Sequence, residues 1–123
     1  SGKSYGTATN RIIQNFSTTD GDWGTTTRDI NIGDTNITMA TYDSDNVTNN
    51  PVLKNNSVAS TINELSTPAG TVNDDTASDL TIGNVDALNR AYDGLIGEII
   101  MYDRVLSSTE ISLVERYLTN KWT

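Results

Sequence analysis

The sequence predicts an all-β fold that ends in one helix. Thr is the most frequent of the 123 residues and Asn the second, with Gly, Ser and Asp close behind. This mixture favours strands joined by tight turns over helices. Short segments of alternating apolar and polar residues recur between clusters of turn residues. Residues 92–122 then combine an Ile-rich segment with an amphipathic helical pattern.

The N-terminal part of the chain predicts two short strands. Arg11–Phe16 is rich in Ile and is followed by a turn cluster in which Asp20 and Gly21 suit a hairpin. Arg28–Ile32 alternates polar and apolar residues, and Gly33 ends the pattern.

The middle of the chain predicts a central strand and an edge hairpin. Asn36–Asp43 carries apolar residues at odd and even positions, as expected for a strand that is covered on both faces. Val47–Ser60 is polar, rich in Asn and contains Pro51, which suits a hairpin at a sheet edge. Thr67–Ser78 has no apolar periodicity and is predicted to be a loop.

The C-terminal segment predicts one more strand and the helix. Leu95–Tyr102 is rich in Ile and aromatic residues, which indicates a buried strand. Ser107 lies three residues before Glu110, and this capping-box spacing marks the start of the helix. The helix has an apolar stripe with spacings of three and four, formed by Ile111, Val114, Leu118 and Trp122. Glu115 and Lys121 belong to its polar face, so the helix is expected to lie with its stripe on the rest of the fold.

These C-terminal residues resemble a known family. Residues 94–122 (GLIGEIIMYDRVLSSTEISLVERYLTNKW) are similar to the end of laminin-G-like, concanavalin A-like jelly-roll domains, where a last long strand precedes a short helix. Residues 37–43 (ITMATYD), 52–60 (VLKNNSVAS) and 80–83 (LTIG) resemble inner strands of the same family. The resemblance implies an antiparallel β-sandwich, a jelly roll, with the short C-terminal helix packed on it, in a single domain of residues 1–123.

A jelly roll of this family has more strands than can be placed here, and the missing ones belong at the N-terminal side. Three explanations stay open. The chain is a fragment of a longer polypeptide, a neighbouring subunit fills the gap, or residues 1–35 supply the strands in compressed form. An incomplete sheet leaves an edge that attracts other strands.

The composition excludes several classes of function. The chain has no Cys and no His, which removes thiolate and imidazole metal ligands and the usual Ser/His and Cys/His catalytic mechanisms. A formal net charge of −8 makes nucleic acid an unexpected partner, because such binding depends on Lys and Arg at phosphates. No apolar run approaches the ~20 residues that span a bilayer, so membrane insertion is not expected.

Acidic pairs make calcium a candidate ligand. Asp43 and Asp45 have the D-x-D spacing that can place carboxylate oxygens on Ca²⁺, and sandwich domains of the resembled family often hold Ca²⁺ in such loops. A six-to-eight-oxygen shell needs more ligands than these two residues supply. The alternative is that the pair forms solvated turns.

Sugar binding is the other candidate, because a pyranose stacks on an exposed aromatic ring while polar side chains bind its hydroxyls. Trp23, next to Asp22 and flanked by glycines, is the first candidate for such a ring; the alternative is that it folds back over the core. Tyr92 with Arg90 is the second candidate pair. No two carboxylates have the arrangement that glycoside hydrolysis requires, so no enzyme activity is expected.

These observations predict a non-enzymatic, surface-exposed binding or adhesion module of the laminin-G/concanavalin type that recognises carbohydrate or protein. The alternative is a structural protein of a phage virion, a capsid decoration or tail-fibre domain, held by contacts with neighbouring subunits. A homo-oligomer or a part of a larger chain fits both, and both place the protein outside the cell or on a virion surface.

Overall fold

The computed structural model of the chain describes residues 7–84 and 91–123. Its regular structure consists of eight short strands and one helix among these residues. The elements are β1 (Thr7–Ala8), β2 (Arg11–Gln14), β3 (Gly21–Thr25), β4 (Ile30–Asn31), β5 (Thr38–Thr41), β6 (Val52–Asn55), β7 (Val58–Ala59), β8 (Ile62–Ser66) and α1 (Ser108–Trp122).

All pairs among the described strands are antiparallel. The described strands form two three-stranded sheets, β2–β3–β8 and β5–β6–β7, and a two-stranded pair, β1–β4. The predicted all-β class with a C-terminal helix is therefore confirmed. The finer prediction, a jelly-roll sandwich, is not confirmed by these small sheets.

The core lies where the two larger sheets meet. Trp23 of β3 has no exposed surface, and its ring centroid is 5.0 Å from that of Tyr42, which follows β5. Leu53 of β6 and Phe16 are also buried. This aromatic contact links the two sheets. It stabilises their packing, because buried apolar area is the main favourable contribution to folding.

The order of the second sheet differs from the prediction. The segment predicted to be central, Asn36–Asp43, contains β5, which lies at an edge, while β6 from the predicted edge hairpin is in the middle. The reason is the tight turn at Asn56 and Ser57, whose φ angles of 48° and 67° bring β7 back along the free side of β6. Positive φ at both central residues is the signature of a hairpin turn.

The other N-terminal predictions agree in place but not in length. Arg11–Phe16 contains the shorter β2, and Phe16 forms an isolated bridge with Val72. Arg28–Ile32 contains β4. Strand β8 was not predicted, since three of its five side chains are exposed and it shows no apolar alternation; its pairing with β3 keeps it in place.

The predicted strand Leu95–Tyr102 is wrong as a strand, because no described segment pairs with it. A strand exists only through hydrogen bonds to a neighbour, so its apolar sequence alone cannot produce a ladder. Residues 80–83, predicted to be the preceding strand, belong to none of the described strands.

The helix begins where the capping box predicts. The Ser107 hydroxyl accepts a hydrogen bond from the Glu110 N–H, and the Glu110 carboxylate accepts one from the Ser107 N–H at 2.8 Å. Arg104 donates two hydrogen bonds to the same carboxylate. The prediction that Glu115 faces solvent is wrong: it is buried and pairs with Lys54 of β6 at 3.1 Å, which ties α1 to the second sheet.

Candidate functional site

The C-terminal segment is tied to α1 by a network around Glu98. The Glu98 carboxylate accepts hydrogen bonds from Trp122 Nε1 at 2.9 Å, from Lys121 Nζ at 3.0 Å and from the Tyr117 hydroxyl at 3.0 Å. All three donors lie on the last turns of α1, where Tyr117 and Lys121 are four residues apart and so share one side of the helix. The network therefore ties Glu98, in the middle of residues 95–102, to the end of the helix.

The charges in this network stabilise one another. The hydrogen bonds from Trp122, Lys121 and Tyr117 lower the pKa of the Glu98 carboxyl. The neighbouring Tyr117 hydroxyl and Glu98 carboxylate raise the pKa of Lys121. The ammonium group also lies 5.3 Å from the centroid of the Tyr117 ring and 5.2 Å from that of Trp122. The Glu98 carboxylate is thus bonded to structural partners that favour its ionised form. Such a group is not suited to act as a general acid.

Gly97 lets the helix approach this closely. A Cβ atom placed at Gly97 would lie 3.1 Å from two carbons of the Trp122 ring, closer than such atoms normally come. The indole ring therefore rests on the Gly97 backbone while its N–H bonds Glu98. These contacts join Gly97 and Glu98 to the last turns of α1.

An apolar groove opens between this segment and residues 80–83. It has a volume of about 620 Å³, and its apolar lining consists of Leu80, Ile82, Ile96, Ile99 and Met101. Leu80 is 72 % exposed and Met101 71 %. We call these five residues, together with Leu95, Ile100 and Tyr102, the C-terminal apolar surface; every one of them is exposed.

The backbone of the same segment has no hydrogen-bond partner among the described residues. Within the described residues, no backbone–backbone hydrogen bond involves residues 93–106 apart from helix-type bonds at the start of α1. The nearest one joins the Tyr92 N–H to the Gly83 carbonyl at 2.7 Å. Apolar side chains therefore occur on one exposed stretch together with N–H and C=O groups that no described residue pairs, which is the condition for pairing with another strand.

The structure corrects the prediction for Trp23 as an exposed stacking ring. Its side chain is fully buried, and Nε1 donates to Asn50 Oδ1 at 2.9 Å, so the fold-back alternative describes its position. Gly21 makes this possible, because a Cβ atom there would lie 2.2 Å from the Trp23 ring. A ring with no exposed surface cannot stack on a sugar.

Asp22 is half-buried and occupied by an ion pair. Its carboxylate accepts a hydrogen bond from Arg11 Nε at 2.7 Å and a second one from the guanidinium NH2 group. This pair lowers the pKa of the Asp22 carboxyl. The contact joins neighbouring strands β2 and β3, which gives Asp22 a structural role.

The second predicted pair is only partly described. Tyr92 is 60 % exposed, and its ring lies over Gly94, where a Cβ atom would be 2.8 Å from it. Arg90 lies outside the described residues. Tyr92 borders the C-terminal apolar surface through its hydrogen bond to Gly83, and its role in binding sugar stays a prediction.

The predicted calcium residues lie in one solvated turn. The Asp43 carboxylate accepts a hydrogen bond from the Asp45 N–H at 3.1 Å, and the Asp43 carbonyl accepts one from Asn49 Nδ2 at 3.0 Å. These are the contacts of an Asx turn. Within residues 7–84 and 91–123, no three Asp or Glu side chains cluster as metal ligands would. Calcium binding at Asp43 and Asp45 stays a prediction.

Comparisons with known proteins give no relative. No protein-family model matches the chain, and neither the curated proteins nor the solved structures contain a match. In the part of the chain that the structure describes, no helix combines the length and the apolar composition needed to cross a bilayer. Function is therefore inferred from the chemistry of the chain's own surface.

Proposed function

We propose that this protein is a non-enzymatic assembly module that binds neighbouring protein subunits through its C-terminal apolar surface. The partner that fits this surface is a second copy of the chain. The observation that supports the proposal is the coincidence, along residues 95–102, of exposed apolar side chains with backbone groups that have no partner among the described residues. Monomeric soluble proteins rarely expose a large contiguous apolar patch, whereas subunit interfaces do.

The backbone supports strand addition as the mode of binding. An exposed extended segment gains main-chain hydrogen bonds when another segment adds beside it, and side chains next to it supply specificity. Residues 95–102 contain no bend, and the Glu98 network holds the middle of this segment on α1 before any partner arrives. A fixed segment loses less conformational entropy on binding than a free one.

The sequence of the segment suits antiparallel pairing with its own copy. A two-fold axis at Ile99 would place Ile99 opposite the same residue of the second copy and Gly97 opposite Met101. A register centred on Glu98 would place two carboxylates opposite each other and is disfavoured. In the favoured register each Glu98 instead faces Ile100 of the other copy, while its carboxylate stays bonded to its own helix.

The setting for such a module is the surface of a virion or the outside of a cell. A capsid decoration or tail-fibre domain works by binding its neighbours, and this is the setting that an uncovered strand-like segment favours. An adhesion module of the laminin-G/concanavalin type would use the same surface to bind protein. The absence of His and Cys, and the occupation of Glu98, Asp22 and Glu110 by structural partners, support a role without catalysis.

Sedimentation velocity with two matched variants tests the proposal. Ile99, at the centre of the segment, is 49 % exposed, and Ile13, on β2, is 54 % exposed. We expect the wild-type protein to form a dimer in a concentration-dependent manner. Ile99→Lys should weaken the dimer at least about tenfold, because it puts a charge into the apolar centre of the interface. Ile13→Lys should leave the dimer unchanged.

Two outcomes contradict this function. In the first, the wild-type protein stays monomeric at all accessible concentrations, and residues 95–102 bind only a segment of a longer parent polypeptide. The partner of this surface would then be that segment and not a second copy of the chain. Equal weakening by both lysine variants would show that association depends on general surface properties and not on this segment.

A further inference from the structure

A second cleft lies beside the β6–β7 hairpin, away from the C-terminal apolar surface. It has a volume of about 490 Å³ and is lined by Thr27, Asp29, Asn55, Asn56, Val58 and Ser60, among others. This volume falls in the range of small-ligand sites. We call it the hairpin cleft.

The hairpin cleft contains a buried acceptor without a partner. Asn55 is 7 % exposed, and its Nδ2 donates to the Asp29 carbonyl at 2.6 Å and to Asn36 Oδ1 at 3.4 Å. Its Oδ1 is buried and accepts no hydrogen bond from any described residue. Buried polar atoms in native proteins are nearly always paired, so an orphaned carbonyl at a cleft indicates a missing donor.

The same cleft holds a carboxylate in its ionised form. The hydroxyl groups of Ser60 and Thr27 lower the pKa of the Asp29 carboxyl, so Asp29 is negatively charged at neutral pH. A carboxylate has about four acceptor positions, and the Thr27 hydroxyl donates to one of them, while the Ser60 hydroxyl has no hydrogen-bond partner among the described residues. Asp29 therefore has room for further donors. No Lys or Arg is among the described residues that line the cleft.

We propose that the hairpin cleft binds the guanidinium group of an arginine side chain. A guanidinium is planar and carries five N–H donors, so it can bond the Asp29 carboxylate and a second acceptor at the same time. Val58, 70 % exposed, and Ala59 offer an apolar wall for the aliphatic stem of the side chain. The net charge of −8 attracts cationic partners over longer distances.

Other ligand classes fit the cleft less well. A phosphate or an acidic ligand would meet the charge of Asp29 directly. A calcium ion needs six to eight oxygen ligands, and the cleft has a single carboxylate. The guanidinium inference is also independent of the assembly surface, because the two sites share no residue.

An NMR titration with N-acetyl-arginine amide tests the inference on the wild-type protein. We expect saturable shifts of the backbone amides of residues 27–29 and 55–61. N-acetyl-citrulline amide has the same shape without the charge and should give no saturable shifts. Guanidinium ion alone should bind at the same amides but more weakly, because it lacks the stem that contacts Val58. Equal binding of the citrulline compound, or shifts elsewhere on the chain, would overturn the inference.

A pair of charge-matched variants identifies the carboxylate that binds. Asp29→Asn should weaken binding of N-acetyl-arginine amide at least about tenfold, since it removes the charge in the cleft. Asp34→Asn removes an exposed charge outside the cleft and should change the affinity by less than about twofold. Equal effects would mean general attraction to an acidic protein and would contradict the site. If Asp29→Asn fails to fold, the comparison of N-acetyl-arginine amide with N-acetyl-citrulline amide on the wild-type protein still tests the inference.

Discussion

Two aromatic residues of the core, Trp23 and Tyr42, differ in whether their polar groups have a hydrogen-bond partner. Trp23 donates its N–H to Asn50, whereas the Tyr42 hydroxyl is buried with no hydrogen-bond partner among the described residues. Burial raises the pKa of Tyr42 because the charged form cannot be solvated there. The same lack of solvation disfavours the unpaired neutral hydroxyl.

Removing this hydroxyl should stabilise the protein. Tyr42→Phe keeps the ring contact with Trp23 and eliminates the buried orphan, so we expect the free energy of unfolding to rise by about 1 kcal/mol. Urea denaturation measures this change. Trp23→Phe is the control of opposite sign, because it removes a satisfied hydrogen bond and leaves a smaller ring in a packed site. A loss of stability in Tyr42→Phe would show that its hydroxyl has a partner.

The start of α1 depends on the ionised form of one carboxylate. Arg104 and the N–H and hydroxyl of Ser107 lower the pKa of Glu110 from 4.5 to about 2. Because the folded-state pKa is lower than the unfolded-state pKa, this stabilisation is complete above about pH 4.5. It is lost as the pH falls through about 2, where both states bind the proton.

Glu110→Gln should therefore have a pH-dependent cost. At pH 7 we expect the variant to unfold at a lower urea concentration than the wild-type protein. The difference should shrink as the pH falls from about 4.5 towards about 2, because the wild-type carboxylate becomes protonated in this window. Denaturation curves across this range measure it. A difference that stays constant with pH would contradict the assigned pKa.

At the scale of elements, the β6–β7 hairpin and α1 are specified by local signals. The turn at Asn56 and Ser57 has two residues with positive φ, and Asn is a residue that tolerates this conformation. Asn56 also bonds both backbone groups of Ile37, as its N–H donates to the Ile37 carbonyl at 2.8 Å and its Oδ1 accepts from the Ile37 N–H at 2.9 Å. The turn thus joins β7 to the start of β5.

The second turn residue is the weak point of the hairpin. Ser57 has a φ angle of 67°, which costs an L-residue with a side chain about 1–2 kcal/mol, whereas Gly adopts it freely. We expect Ser57→Gly to raise the melting temperature and Ser57→Val to lower it, as a β-branched residue tolerates positive φ least. Thermal unfolding followed by circular dichroism measures both. The reverse order would contradict the turn geometry.

The elements that the sequence could not predict are those that depend on distant partners. The spacing of Ser107 and Glu110 marks the start of α1 because a cap is a local structure. Burial of Glu115 could not be predicted, since it depends on Lys54, which is 61 residues away. Residues 95–102 have the composition of a strand, but pairing requires a neighbour that composition does not supply.

In the candidate site, too, local signals in the sequence could be read, whereas contacts between distant residues could not. The role of Glu98 was missed, although Tyr117 and Lys121, four residues apart on the predicted helix, could have indicated a common acceptor. For Trp23 two alternatives were left open, and Gly21 was the signal that could have decided between them, because a glycine leaves room for the ring to fold back.

At the scale of the whole molecule, apolar association opposes a strong negative charge. The net charge of −8 makes two copies repel each other, while the C-terminal apolar surface favours their contact. Salt screens charges that are separated by more than a Debye length, about 10 Å at 0.1 M. Apolar contact is not weakened by this screening.

Raising the salt concentration should therefore strengthen the dimer. We expect the dissociation constant of the dimer to fall between low salt and about 0.5 M NaCl, because repulsion between two acidic copies is screened. Sedimentation equilibrium at a series of salt concentrations measures this. Weaker association at high salt would show that ion pairs, and not the C-terminal apolar surface, hold the copies together.

Amide hydrogen exchange of residues 95–102 is the most direct measurement of the proposed assembly. If these residues pair with a second copy, their amides should exchange rapidly in dilute protein and slowly in concentrated protein, while the amides of β3 stay equally protected at both concentrations. The Ile99→Lys variant should exchange rapidly at both. Rapid exchange of residues 95–102 in the wild-type protein at every concentration would contradict assembly through this segment.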